Sequence, residues 1–267
     1  MSVPEPPLPL REHLLRMYER LLDAYGPQGW WPGAADPFEV VVGAILTQSV
    51  SWKNVEQALA NLRAAGALSP HALLALDDAE LAALIRPSGY YTVKARRLRA
   101  FVQLVVDEFG GDLTGLFALP LPDLRAKLLA TYGIGQETAD DILVYAARLP
   151  SFVVDVYAVR VFTRLGISPA SLAGKASKDA KPGDLAFPPV LDARRYQAWQ
   201  RLFMDHLPAD VALFNEYHAL IVRHGVVRCR KRTPHCRDCP LLDLCPTGQE
   251  LLPNCQPVLL ELSSLRA

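Results

Sequence analysis

Cys229, Cys236, Cys239 and Cys245 follow the spacing C-x6-C-x2-C-x5-C, so seventeen residues hold four thiols. That density fixes the local chain more tightly than any other feature: the segment must fold as a compact loop around a soft, positively charged centre. A [4Fe–4S] cluster takes four Cys ligands and suits this pattern. A structural zinc site also takes four thiolates, including a CxxC pair, and is the alternative. Zinc ribbons usually join two CxxC pairs from separate segments, whereas here Cys236 and Cys239 form one pair and every ligand is local. A disulfide framework is not expected of four cysteines in one basic loop of a chain this large. Cys255, ten residues beyond Cys245, reads as a spare thiol.

With 267 residues and 51% hydrophobic content, the chain can build a substantial core in one large or two modest domains. Its start is Pro-rich and has no secretory pattern, and no apolar run approaches the roughly 18 residues of a membrane span. A thiolate cluster of that kind and the missing signal point to a reducing cytosol, near the nucleoid in a bacterium, and to no membrane partner. Net charge is zero, with 28 basic and 28 acidic residues, so charge alone argues neither for nor against nucleic acid. Its distribution says more. Arg86, Lys94, Arg96, Arg97 and Arg99 follow one another with no acid between Arg86 and Ala100. Arg223, Arg228, Arg230, Lys231, Arg232 and Arg237 do the same through the cysteine loop. Two such runs in a neutral chain can bind phosphate by counterion release.

Apolar residues recur at three- and four-residue spacing almost throughout, as in Leu14, Met17, Leu21 and Leu98, Phe101, Val102, Val105, and the fold class is all-α. Asp36-Pro37 reads as the cap and first residue of a helix to about Gln48. Ser51 opens another to about Ala65, and Ser69-Pro70 a third. Leu121-Pro122-Asp123 starts a helix to Thr131; Gly133-Ile134-Gly135 breaks it, and a helix resumes over Gln136–Arg148. The stretch Leu172–Phe187 reads as a surface loop, before helices near Ala193–His206 and Ala209–Arg223. Two glycines between helices permit a sharp turn and a close approach of backbone to ligand, and the second helix then offers free N–H groups to an anion. A plain αα-turn explains Gly133 and Gly135 equally well when they are taken alone.

Taken with their surroundings they are more specific. The hairpin, the segment Val153-Val154-Asp155-Val156-Tyr157 and the four-cysteine loop occur in this order in endonuclease III, and Ile45-Leu46-Thr47-Gln48-Ser49 and Arg86-Pro87-Ser88-Gly89-Tyr90-Tyr91 match as well. From about Leu8 to Cys245 the chain thus resembles the helix-hairpin-helix DNA glycosylase superfamily. The resemblance implies two helical domains: residues 30–148 as a barrel with the hairpin, and residues 1–29 with 149–267 as a domain carrying the [4Fe–4S] loop. Duplex DNA, with its damaged base flipped into a cleft, is the implied partner of a monomer.

One departure bears on the chemistry. In bifunctional members the second hairpin helix carries a lysine whose amine attacks C1′ and forms a Schiff base. That position is Glu137, and a carboxylate cannot form an imine; Lys127, one helix earlier, is not a substitute. The expected reaction is hydrolysis of the N-glycosidic bond without strand scission. Trp30-Trp31-Pro32, Leu46-Thr47-Gln48 and Gly133-Ile134-Gly135-Gln136-Glu137 further resemble endonuclease III-type 3-methyladenine glycosylases, which also lack the lysine. The resemblance assigns a base pocket to Trp30, Trp31, Pro32 and Trp52. Adenine methylated at N3 is cationic while attached to the sugar, and each indole face attracts a cation by about 0.5–2 kcal/mol.

A cationic base leaves as a neutral one and needs no general acid, in contrast to ordinary glycoside hydrolysis. Asp155, the catalytic carboxylate by resemblance, would stabilise the oxocarbenium-like transition state by at most about 4 kcal/mol at roughly 4 Å and an effective dielectric near 20. It also reads as the cap of the helix that follows. Gln48 and Tyr90 hold the family's intercalating positions, filling the gap a flipped base leaves. Arg96 and Arg97 would hold phosphate, and Arg230, Lys231 and Arg232 would form a basic finger shaped by the metal. Two other readings stay open: endonuclease III action on oxidised pyrimidines with a weak lyase, and a non-catalytic DNA-structure-binding or redox-sensing protein.

Overall fold

In the computed structural model, residues 9–31, 36–172 and 191–252 are described. They are helical, with no β-strand among them. The first nine helices are α1 (Leu10–Tyr25), α2 (Pro37–Thr47), α3 (Trp52–Ala64), α4 (Pro70–Ala75), α5 (Asp78–Leu84), α6 (Tyr91–Phe109), α7 (Leu113–Phe117), α8 (Leu121–Ala130) and α9 (Gln136–Asp141). Then follow α10 (Val156–Arg164), α11 (Ala193–Met204), α12 (Val211–Val227) and α13 (Pro246–Leu251). No helix among the described residues is long and apolar enough to cross a membrane. Pro32, most of the Leu172–Phe187 stretch and Cys255 lie outside the described residues.

The chain separates into two compact units, Met1–Gly29 with Val154–Ala267, and Trp30–Val153. The second boundary falls at Val154 rather than at 149. Residues 149–153 are held by the inserted unit: the Leu149 amide donates to the Leu143 carbonyl at 2.8 Å, and Ser151 Oγ donates to Asp140 at 2.6 Å.

The inserted unit begins where the sequence is best punctuated. Asp36 caps α2, accepting from the Phe38 amide at 2.8 Å, and Pro37 occupies the first turn, where its missing N–H costs nothing. Ser69 caps α4, and Asp77 with Glu80 closes a reciprocal capping box on α5. Helix α2 is so apolar that Phe38 and every residue from Val40 to Leu46 are buried, and α3, α6 and the Ile142–Ala146 turn pack around it. The expected continuous helix Gln136–Arg148 is two pieces. After Asp141 the chain widens into a π-type turn over Ile142–Ala146, and Arg148 takes φ +56°. The wide turn puts all five of its residues inward, a demand a regular 3.6-residue period does not meet.

One ion pair lies within this core. Asp140 is fully buried, receives both Nε and Nη2 of Arg125 at 2.8 Å, and accepts from Ser151. Arg125 also donates to Gln136 Oε1 at 2.6 Å, so α8 and α9 are pinned on either side of the Gly-x-Gly turn.

In the discontinuous unit, α1 and α10 pack on α12. Phe162 meets Phe203 edge to face at 4.8 Å, and the buried Tyr217 donates to the Leu14 carbonyl at 2.8 Å. Leu14, Met17 and Leu21 are fully buried, as the period of α1 requires.

Removing one partner of a buried, hydrogen-bonded pair leaves an uncompensated charge, which costs about 3–5 kcal/mol. Arg125→Met should therefore lower the unfolding free energy by about that amount in urea titration. A loss below about 1 kcal/mol would show that the Asp140 carboxylate finds other compensation.

Candidate active site

Asp155 caps α10. Its Oδ1 accepts from the Ala158 amide at 2.7 Å, and the side chain is almost fully buried. The sequence dictates this, because the extended run Ser151–Val154 ends at an Asx residue directly before a helical apolar period. The other oxygen, Oδ2, faces His218 Nε2 of α12 at 3.7 Å. One carboxylate oxygen is thus tied to backbone and the other borders an imidazole. Burial, with the negative charge of Asp155 close by, raises the pKa of the Tyr157 phenol.

In the inserted unit, four aromatic rings cluster. Trp31 lies edge to face with Trp52 at 5.1 Å and with Tyr145 at 5.4 Å, and Trp30 stands 6.3 Å from both Trp31 and Tyr145. Trp30, Trp31 and Trp52 remain partly exposed, while Tyr145 is buried. Tyr145 has no distinguishing mark in the sequence, since it sits in the apolar run Ile142–Ala146. Only the wide turn aims it at the indoles. Trp31 rests on Gly43 of α2, where a Cβ would come within 2.9 Å of the ring.

The hairpin turn uses its two glycines differently. Gly133 has φ +82°, and a Cβ there would strike the Arg97 side chain at 2.2 Å, so both conformation and packing require glycine. Gly135 has φ −91° and open space around it, and serves as the residue before α9. Glu137 is exposed in the first turn of α9, a helix with no lysine.

Gln48 and Tyr90 differ in setting. Tyr90 is 76% exposed and holds a left-handed conformation, φ 45° and ψ 31°, at the start of α6. Gln48 is half-buried: its Nε2 donates to the Gly133 carbonyl at 3.0 Å and to Thr138 Oγ1 at 2.9 Å, and its Oε1 accepts from Arg97. Of the basic run on α6, Arg96 faces solvent and Arg97 is engaged with Gln48. Lys94 departs from its reading as part of a surface patch: it is 1% exposed, with its ammonium on two carbonyls.

The four cysteines line one cavity, together with Arg164 and His224. None is in a disulfide. No group of three or more His, Cys, Asp or Glu side chains among the described residues is arranged to hold a metal ion. Burial pushes the Cys239 thiol up to about 12 and raises Cys245 as well, and neighbouring cysteines add to both shifts. A cationic centre beside these thiols would reverse that preference. Arg160 and Arg164, one turn apart on α10, secure the loop. Arg160 donates to the carbonyls of Cys229 and Gly225, each at 2.8 Å. Arg164 donates to the carbonyls of Arg230 at 2.8 Å and Lys231 at 2.9 Å, and to Cys229 Sγ at 3.3 Å. The loop backbone is held while the side chains of Arg230, Lys231 and Arg232 stay exposed.

Residues 42–182 match the family model described as HhH-GPD superfamily base excision DNA repair protein. The chain belongs to that family. Among its relatives is a protein of Methanocaldococcus jannaschii, provisionally named a DNA repair glycosylase, 40% identical over 88% of this chain and 96% of its own. A structure of endonuclease III in non-covalent complex with DNA shares the fold, with a TM-score of 0.71 at 21% identity, covering 92% of this chain and all of that one. A third likeness is to Helicobacter pylori 3-methyladenine DNA glycosylase bound to 1,N6-ethenoadenine, with a TM-score of 0.62 and 26% identity over 82% of this chain and 98% of that one. As an HhH-GPD protein the chain is a DNA glycosylase of base excision repair with an endonuclease III-like fold.

Within this HhH-GPD chain, His218, Tyr145, Arg160 and Arg164 escaped the reading of the sequence. Two arginines four apart on an amphipathic helix read as a solvated face, and nothing local says that they reach a loop some 65 residues on. The contact between Gly43 and Trp31 is testable. Gly43→Ala gains up to about 1 kcal/mol of helix propensity but must displace the indole. Tryptophan emission should shift with little loss of melting temperature; unchanged emission would mean that Trp31 does not rest on this helix.

Proposed function

We propose that this glycosylase is monofunctional and removes a flipped, cationic, alkylated purine such as 3-methyladenine from duplex DNA. The observation that carries the reading is the cluster of Trp30, Trp31, Trp52 and Tyr145, four rings within 6.3 Å of a neighbour. The rings offer no strong acid, but their faces attract a base that already carries positive charge. The likeness to a 3-methyladenine glycosylase supports the same class.

The absence of a lyase step follows from chemistry at one position. Glu137 stands where an attacking amine would be needed; Lys127 of the preceding helix pairs with Glu108 at 2.5 Å, and Lys94 is buried on carbonyls. Asp155 supplies the charge opposite the developing oxocarbenium ion. Its Oδ1 is already satisfied by the Ala158 amide, which leaves Oδ2 to orient water and take its proton. The cationic purine departs as a neutral molecule, so no protonation of the leaving group is required.

DNA would be held by exposed Arg96, Arg230, Lys231 and Arg232 and by the backbone of the Gly133–Gly135 turn. Cys229, Cys236, Cys239 and Cys245 would hold a [4Fe–4S] cluster, whose contribution is to fix the loop that presents these cations. Gln48 and Tyr90 fill the space of the extruded nucleotide.

The test compares wild type with Asp155→Asn on alkylated duplex, following free base by chromatography. Wild type should release 3-methyladenine, and the variant, equal in size but uncharged, should lose about 10²–10³-fold in single-turnover rate. Equal rates would remove Asp155 from the chemistry. No release by wild type would favour oxidised pyrimidines as substrate.

A further inference from the structure

Lys94 is buried in the inserted unit, and its ammonium does something no apolar side chain of its size could do. Nζ donates to the Leu46 carbonyl at 2.8 Å and to the Ser88 carbonyl at 2.6 Å. Leu46 lies two residues before Gln48, and Ser88 two residues before Tyr90. One ammonium thus joins the ends of two segments that are far apart in sequence, each leading into a residue assigned to the gap in the base stack.

Neighbouring contacts extend the same joint. Arg97, one turn along α6, donates to Gln48 Oε1, and Gln48 in turn holds the Gly133 carbonyl and Thr138 of the hairpin. Ser88 is fully buried and its Oγ donates to the Ile85 carbonyl at 2.7 Å, so the segment entering Tyr90 has little freedom. Tyr90 itself is exposed in a left-handed conformation that costs a non-glycine residue on the order of 1 kcal/mol. Such a backbone persists only where its surroundings determine it. Burial lowers the lysine's pKa to about 8, assisted by Arg97.

We propose that Lys94 is a positioning residue for base extrusion: it clamps the segments carrying Gln48 and Tyr90 to one another, so that both side chains enter the duplex as one rigid wedge. The proposal rests on the reading that Gln48 and Tyr90 fill the vacated space. It separates extrusion from bond cleavage, because Lys94 belongs to the joint and not to the aromatic cluster.

The experiment uses Lys94→Met, which keeps length and volume but loses the donors, beside wild type and the double variant Gln48→Ala/Tyr90→Ala. Single-turnover release is measured on a lesion in paired duplex and on the same lesion already unstacked opposite an abasic spacer. Extruding a paired base costs a few kcal/mol and each 1.36 kcal/mol is tenfold, so the paired substrate should slow about 10–100-fold. The unstacked one should slow less than about threefold, the pattern of the double variant. A second readout does not depend on which base is excised: fluorescence of 2-aminopurine placed opposite an abasic analogue, which rises when a wedge enters. Wild type should raise it and Lys94→Met should not. Equal slowing on both substrates, or a fluorescence rise equal to wild type, overturns the proposal. If wild type excises nothing yet raises the fluorescence, the substrate reading fails and the Lys94 comparison still decides. If wild type does neither, the assignment of Gln48 and Tyr90 falls and the inference with it.

Discussion

Helix α10 carries the proposed catalytic carboxylate and the anchors of the cysteine loop on one rigid element. Its cap is the Asp155 carboxylate, and its buried arginines at 160 and 164 hold the backbone of the cysteine loop. The arrangement is electrostatically consistent, with an anion at the helix N-terminus and cations toward the C-terminus. Each guanidinium is planar and presents several fixed donors, so two arginines can satisfy three loop carbonyls and one in the last turn of α12. A loop of four thiols and many cations would repel itself if left free. Bound to α10, it keeps its shape and leaves Arg230, Lys231 and Arg232 outward.

The inserted unit solves a different problem by the same means. Its hairpin and the ends of its helices are held by polar groups bonded inside the fold: Asp140 with Arg125 and Ser151, Gln48 with Arg97, Gly133 and Thr138, and Lys94 with two carbonyls. Such networks add little net stability over an apolar core, but each has one satisfactory arrangement. For a glycosylase this matters, since a reacting or positioning group displaced by about 1 Å loses much of its effect.

What was legible in the sequence followed local rules. The α-helical class came from spacing, and the caps Asp36, Ser69 and Asp155 came from residue type before an apolar period. The cysteine spacing brought four thiols to one cavity. What was not legible depends on distance along the chain. Lys94 read as one cation of a surface run because the Leu46 carbonyl that buries it lies 48 residues earlier. Arg160 and Arg164 drew no notice for the same reason, their loop partners lying some 65 residues on. Tyr145 was hidden in an apolar stretch, and a regular helix was expected where the chain widens at Ile142–Ala146. Gly133 and Gly135 looked equivalent as letters, yet only Gly133 has positive φ and a side chain pressed against it.

The central claim is that bond cleavage proceeds by water without an amine. Borohydride added during reaction with alkylated duplex captures any imine between enzyme and DNA as a stable adduct visible by electrophoresis. The account predicts free 3-methyladenine, an abasic strand that breaks only in alkali, and no adduct. A covalent enzyme–DNA band would contradict it, and would mean that an amine takes over the role that Glu137 cannot perform.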